Sequence, residues 1–158
     1  EEGNLVATAL IRKHRLWEVF LVDKLGFAWD EVHDLAEQLE HVQGEMLVDR
    51  LDTFLGRPRF DPHGDPIPDA EGRWTYRQQV RLAVLQPGQP GQRGIVTGVD
   101  DHAAPFLQYL DQIGLGLGVE VLLSGRIDYD QSVQVRIGGN TEVTLSDKVA
   151  QNLFVIKG

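Results

Sequence analysis

Four side chains able to ligate a divalent metal recur at helical spacing in one short stretch: His33, Glu37, Glu40 and His41. His14 and Glu18, four residues apart, form a second pair upstream. Imidazole nitrogen and carboxylate oxygen are the donors that hold divalent transition metals when no thiolate is available, and the chain contains no Cys. Residues three and four apart share a helix face. At about 100° per residue, positions 33, 37, 40 and 41 fall within an arc of roughly 100°. Metal binding is therefore the first function this spacing predicts. The competing reading is a solvated helix face laced with i,i+4 ion pairs.

These donors need helices to aim them. Asn4 suits the N-cap of a helix running to about Leu25, with Gly26 as its stop. A second helix is expected from Trp29 or Asp30 to Gly44, and a third over 45–55, ending at Gly56. Three short helices make a thin core. Trp17, Phe20, Phe27, Trp29 and Phe54 supply more aromatic surface than such a core needs, which predicts a homodimer interface.

The segment 57–68 holds four prolines. Proline removes backbone donors and forbids helix, so this segment reads as an extended loop or linker, and its His63 as structural. The domain organisation expected is a helical metal-binding and dimerisation domain over 1–68, a linker over 69–78 and a β domain over 79–158. Within the last, 80–85, 94–99, 119–123, 133–137, 142–145 and 154–156 are short β-prone runs. Turn chemistry at 87–91, 128–131 and 138–140 separates them, and one helix is expected at 105–113. The fold class is thus α+β, a three-helix domain followed by a small barrel.

The 158 residues carry a net charge of -9, with 7 Lys+Arg against 14 Asp+Glu in residues 1–68 and 8 against 10 in residues 69–158. The acid concentrates where the metal donors lie. Such a field attracts cations and repels phosphate backbones, so these residues alone make a poor nucleic-acid binder. No apolar run approaches the roughly 18 residues of a membrane span. The start Glu1-Glu2-Gly3-Asn4 has no signal-peptide character, and the lack of Cys fits a reducing cytoplasm. Gly114-Leu115-Gly116-Leu117-Gly118 lacks the context of a phosphate loop. No Ser has a His and an acid set around it for nucleophilic catalysis.

Arg12-Lys13-His14-Arg15-Leu16-x-Glu18, followed by Val32-His33-Asp34-x-Ala36-Glu37-x-Leu39-Glu40-His41-Val42, resembles the metal-dependent repressors of the diphtheria-toxin-repressor and manganese-transport-regulator family. The loop from Phe60 to Pro68 resembles that family's linker. Gly94-x-Val96, Phe106-x-x-x-Leu110-x-x-x-Gly114 and Val135-x-x-Gly138-Gly139 resemble its SH3-like, FeoA-type barrel. The resemblance implies that Glu37, Glu40 and His41 belong to a primary metal site and that His14, Glu18 and His33 belong to an ancillary one. The barrel's contribution to the latter would come from the loop before its helix, where His102 is the candidate and Asp101 the reserve.

Glu37 stands where iron-type members carry Cys and manganese-type members carry Glu. The implied cofactor is Mn²⁺ or Fe²⁺, with Zn²⁺, Co²⁺ or Ni²⁺ able to bind in vitro. The family's DNA-reading winged helix has no counterpart before Asn4. The chain therefore reads as a metal-sensing, homodimerising fragment of a metal-dependent transcriptional regulator that meets operator DNA only through an N-terminal domain. No enzymatic activity, small-molecule substrate or membrane partner is expected. A di-metal carboxylate oxidase built in a helical dimer and a peptide-binding barrel module are the alternatives weighed against it.

Overall fold

A computed structural model describes residues 2–87, 92–138 and 141–158, without the side chains of residues 2–4. The turn residues expected at 88–91 and 139–140 lie outside the described residues, as does Glu1. The chain divides into two compact units, Glu1–Tyr76 and Arg77–Gly158.

The first unit contains α1 (Glu2–Asp23), α2 (His33–Leu39) and α3 (Glu45–Phe54). Because α1 begins at Glu2, Asn4 lies inside the helix and not at its cap. Leu16 and Val19 of α1 pack on Val48 and Leu51 of α3, while Leu21 packs on Val32 and Ala36. α2 starts later than its apolar period suggests. The 26–32 connection is occupied by a turn in which the Ala28 N–H donates to Glu31 Oε1 at 2.9 Å and the Glu31 N–H donates to Ala28 O at 3.0 Å. The helix gives out at Glu40, whose N–H still donates to Ala36 O at 2.8 Å.

The Pro-rich segment is not an open linker. Asp61 Oδ1 accepts the N–H groups of His63 and Asp65, both at 2.9 Å, and the Asp61 N–H donates to Asp65 O at 2.8 Å. A single carboxylate oxygen thus accepts the loop N–H groups that no helix or sheet pairs. Phe60 and Pro66 form an antiparallel bridge. Ile67 is buried in the α1–α3 core, so the segment is a strap closed on itself and packed on α1.

The second unit is an all-antiparallel six-stranded sheet in the order β1-β6-β2-β3-β4-β5. Its strands are β1 (Val80–Arg81), β2 (Arg93–Val99), β3 (Glu120–Arg126), β4 (Val133–Ile137), β5 (Thr141–Leu145) and β6 (Leu153–Lys157). α4 (Ala104–Ile113) separates β2 from β3, and α5 (Asp147–Gln151) separates β5 from β6. This is the strand content of the SH3-like barrel the sequence predicts. Gly94 lets β2 and β6 approach closely, since a Cβ there would lie 3.0 Å from Val155 Cβ and force it to shift. The apolar run 80–85 is only briefly a strand. It turns into a 3-10 helix at Leu82–Val84 that buries Leu82 and Ala83, an ambiguity inherent in short apolar runs. α5 was not expected, although its cap is local: Ser146 Oγ accepts the Val149 N–H at 3.2 Å. Among the described residues, no helix is long and apolar enough to cross a membrane.

Candidate metal centre

Glu18 projects from the fifth turn of α1 into the first unit and is 2% exposed. Its two oxygens face different imidazoles. Oε2 is 3.3 Å from His63 Nδ1 of the strap, and Oε1 is 3.6 Å from His14 Nε2, one turn back on α1. His63 is 1% exposed and Asp61 5%. One donor atom from each of Glu18, Asp61 and His63 lies within 4.8 Å of the others. Asp61 Oδ1 is used by the strap's backbone, whereas Asp61 Oδ2 is buried with no hydrogen-bond partner. Arg15 Nε lies 3.9 Å from it.

The electrostatics of this cluster are those of a site short of positive charge. Burial, reinforced by the charges of Glu18 and Asp65, pushes the Asp61 carboxyl well above the ordinary carboxylate value. Burial resists the ionisation of Glu18, but the His63 hydrogen bond and the charges of His63 and His14 hold its carboxyl below that value. Burial also resists the charging of His63, yet the hydrogen bond and charge of Glu18, with the charge of Asp61, raise it. Two carboxylates crowded beside one imidazole in a dry site are the donor set a divalent cation neutralises. The residues present fit such an ion.

The other expected donors are partly gathered. His14 Nδ1 is 2.7 Å from Glu40 Oε2, and the His14 and His33 ring centroids are 5.3 Å apart. His33 Nε2 is 3.8 Å from Glu37 Oε2, with both side chains about 60% exposed, and Asp34 joins them within 4.8 Å. His41 lies past the end of α2, 71% exposed, with Nε2 3.9 Å from Glu40 Oε1. The structure therefore draws Glu40 toward His14 and leaves Glu37 beside His33. Among the described residues, Glu37, Glu40 and His41 do not form a group of donors within 4.8 Å. His102 belongs to the second unit, its Nε2 3.3 Å from Val99 O.

The convergence of His63 and Asp61 on Glu18 was not expected from the sequence. The available signal was Asp61 before Pro62 and Gly64, since an Asp side chain in a turn accepts the N–H of the residue two further on and so draws His63 beside it. His63, read as structural in a Pro-rich turn, sits instead in the most deeply buried donor cluster.

Residues 1–69 match the family model described as iron dependent repressor, metal binding and dimerisation domain, and residues 84–157 match the FeoA domain. The iron-dependent repressor IdeR of Mycobacterium bovis is 47% identical over 168 residues, a match covering 99% of this chain and 71% of that protein. The IdeR of Mycobacterium leprae is 30% identical, covering 99% and 71%. Among solved structures, a manganese-dependent transcriptional repressor in complex with manganese superposes with a TM-score of 0.93 at 37% identity, covering 100% of this chain and 74% of that one.

Proposed function

This chain belongs to the iron-dependent, diphtheria-toxin-type repressor family, and from that premise we propose that it is the metal-sensing and dimerising part, with its FeoA-type barrel, of a divalent-metal-dependent transcriptional regulator. The cofactor is Mn²⁺ or Fe²⁺, the two metals in the names of its relatives. The observation that carries this reading is the buried Glu18–Asp61–His63 cluster with its unpartnered Asp61 oxygen. Hard carboxylate donors with one imidazole and no thiolate suit those ions.

Glu18, Asp61 and His63 would hold one ion. His14 and His33, with Glu18 shared, would hold a second. Glu40 accepts the His14 Nδ1 proton in the structure, which leaves Nε2 for coordination. Glu37 and His41, exposed at the end of α2, extend this donor face. A bound divalent ion supplies the positive charge that makes the strap and α1 favourable neighbours. The chain's own residues do the rest: Glu18 anchors the centre on α1, and Asp61 and His63 bring the strap to it.

The regulator is a cytoplasmic homodimer that contacts operator DNA through a domain outside these residues. Leu5 and Val6 on α1 and Met46 and Phe54 on α3 are exposed apolar side chains suited to a dimer interface. The proteins named above favour this reading over a di-metal oxidase or a peptide-binding module, and no catalytic role is assigned. Calorimetric titration with Mn²⁺ tests it. The wild-type chain binds, and Asp61→Asn, which retains the oxygen that closes the strap, loses roughly 100-fold or more in affinity at one site. Unchanged affinity in that variant overturns the assignment.

A further inference from the structure

Trp29 lies in the connection between α1 and α2 and offers no side-chain donor to the metal centre, yet two of its parts meet His63. Its carbonyl oxygen is 2.7 Å from His63 Nε2. Its indole lies nearly parallel to the imidazole, with 6.1 Å between centroids and 15° between planes. A carbonyl only accepts, so Nε2 carries the proton in this contact. With Nε2–H committed to the carbonyl, the proton a metal would displace is the one on Nδ1, the nitrogen that faces Glu18, and its loss leaves the lone pair there. A metal-ligating imidazole commonly donates its other N–H to a carbonyl in this way, and that bond fixes both tautomer and ring orientation.

We infer that Trp29 is a positioning residue of the metal centre: its carbonyl sets the His63 tautomer and its indole sets the ring plane, so that Nδ1 is presented to a divalent cation together with Glu18 and Asp61. This rests on the metal reading of those three residues. The connection is built to hold the carbonyl still. The Phe27 N–H donates to Leu21 O at 3.0 Å, anchoring its start to α1. The Glu31 carboxylate accepts the Ala28 N–H across the turn that contains Trp29. Val32, fully buried against Leu21 and Ala36, pins its end. Through Trp29 the metal centre therefore engages a third segment, besides α1 and the strap, that supplies no ligand of its own.

The test uses the 158-residue chain. Trp29→Ala is expected to weaken Mn²⁺ binding by about 10- to 100-fold and to alter the visible absorption bands of bound Co²⁺, while Trp29→Phe, which keeps a flat ring, restores most of both. Wild-type affinity together with an unaltered Co²⁺ spectrum in Trp29→Ala overturns the inference. A measurement on the wild-type protein holds even if that variant does not fold. In the Zn²⁺-loaded chain labelled with ¹⁵N-histidine, His63 is expected to show a protonated Nε2 and a metal-bound Nδ1, and the reverse assignment overturns the inference. Asp61→Asn separates the two levels. If it abolishes binding while Trp29→Ala does not weaken it, the role of Trp29 alone is wrong. If it too leaves binding unchanged, the metal reading itself has failed.

Discussion

The two units bury different chemistry. The second is closed by aliphatic side chains, among them Val96, Leu107, Val121, Leu123, Val135 and Val155, and its buried polar residues among those described are Thr97 and Ser132. The first has a smaller apolar core and buries Arg12, Glu18, Asp61 and His63. Removing a charge from water is costly unless it is paired or ligated. Arg12 meets that cost with Asp49 and Asp52, at 3.3 and 3.1 Å. Glu18, Asp61 and His63 meet it incompletely. A region that gives up stability to keep unmatched carboxylates dry is where a ligand is expected, and the contrast supports placing metal sensing in the helical unit.

The sharpest way to probe that contrast is to weaken each core by the same chemistry. Leu16→Ala and Leu123→Ala both remove fully buried side chains, and each should cost about 2–5 kcal/mol. Mn²⁺ at a hundred times its dissociation constant should return about 2.7 kcal/mol to the unit that binds it. Thermal melts with and without Mn²⁺ should therefore show recovery for Leu16→Ala and none for Leu123→Ala. Equal recovery in both would erase the contrast.

A second prediction separates the donors. Glu18 faces His63 with one oxygen and His14 with the other, so Glu18→Gln should lose two bound ions where Asp61→Asn loses one. Metal content after dialysis reads the difference, and a full complement of metal in Glu18→Gln would remove the shared ligand from the account. Within the sheet unit, Ser146→Ala should cost about 1 kcal/mol through the lost α5 cap and leave Mn²⁺ affinity untouched.

The smallest expected signal is a slope. His63 holds its proton more tightly in the fold than its ordinary value of 6.5 allows, because of Glu18 and Asp61. That contribution is complete below 6.5 and is lost as pH rises through the raised folded value. The raised Asp61 carboxyl acts in the same direction. In chelator, the denaturation midpoint of the first unit should fall as pH climbs above 6.5, and His63→Gln should flatten the decline. A midpoint that rises over this range would contradict the sign.

Much of this was legible in the sequence, for identifiable reasons. β4 occupies the very residues 133–137 that alternation predicts, because strand period and β-branched composition agree there. α4 stops at Gly114, which takes φ +81, the left-handed conformation its lack of a Cβ permits. That His14 and Glu18 lie side by side on α1 was legible because helical spacing reports which side chains share a face, whereas His33, on α2, was grouped with them only by the family resemblance. The place of Asp61 and His63 was not legible, because their convergence on Glu18 depends on a strap folding back over α1, and periodicity carries no information about a loop's return. Proline content said correctly that the segment was neither helix nor central strand. It said nothing about the carboxylate that closes it or the buried Ile67 that holds it down.

The most direct measurement is an anomalous-scattering map from crystals of this chain grown with Mn²⁺. The account predicts a manganese peak bonded by Glu18, Asp61 and His63, with His63 coordinating through Nδ1. Manganese confined to the exposed His33, Asp34 and Glu37 face of α2, with none at the buried cluster, would contradict it.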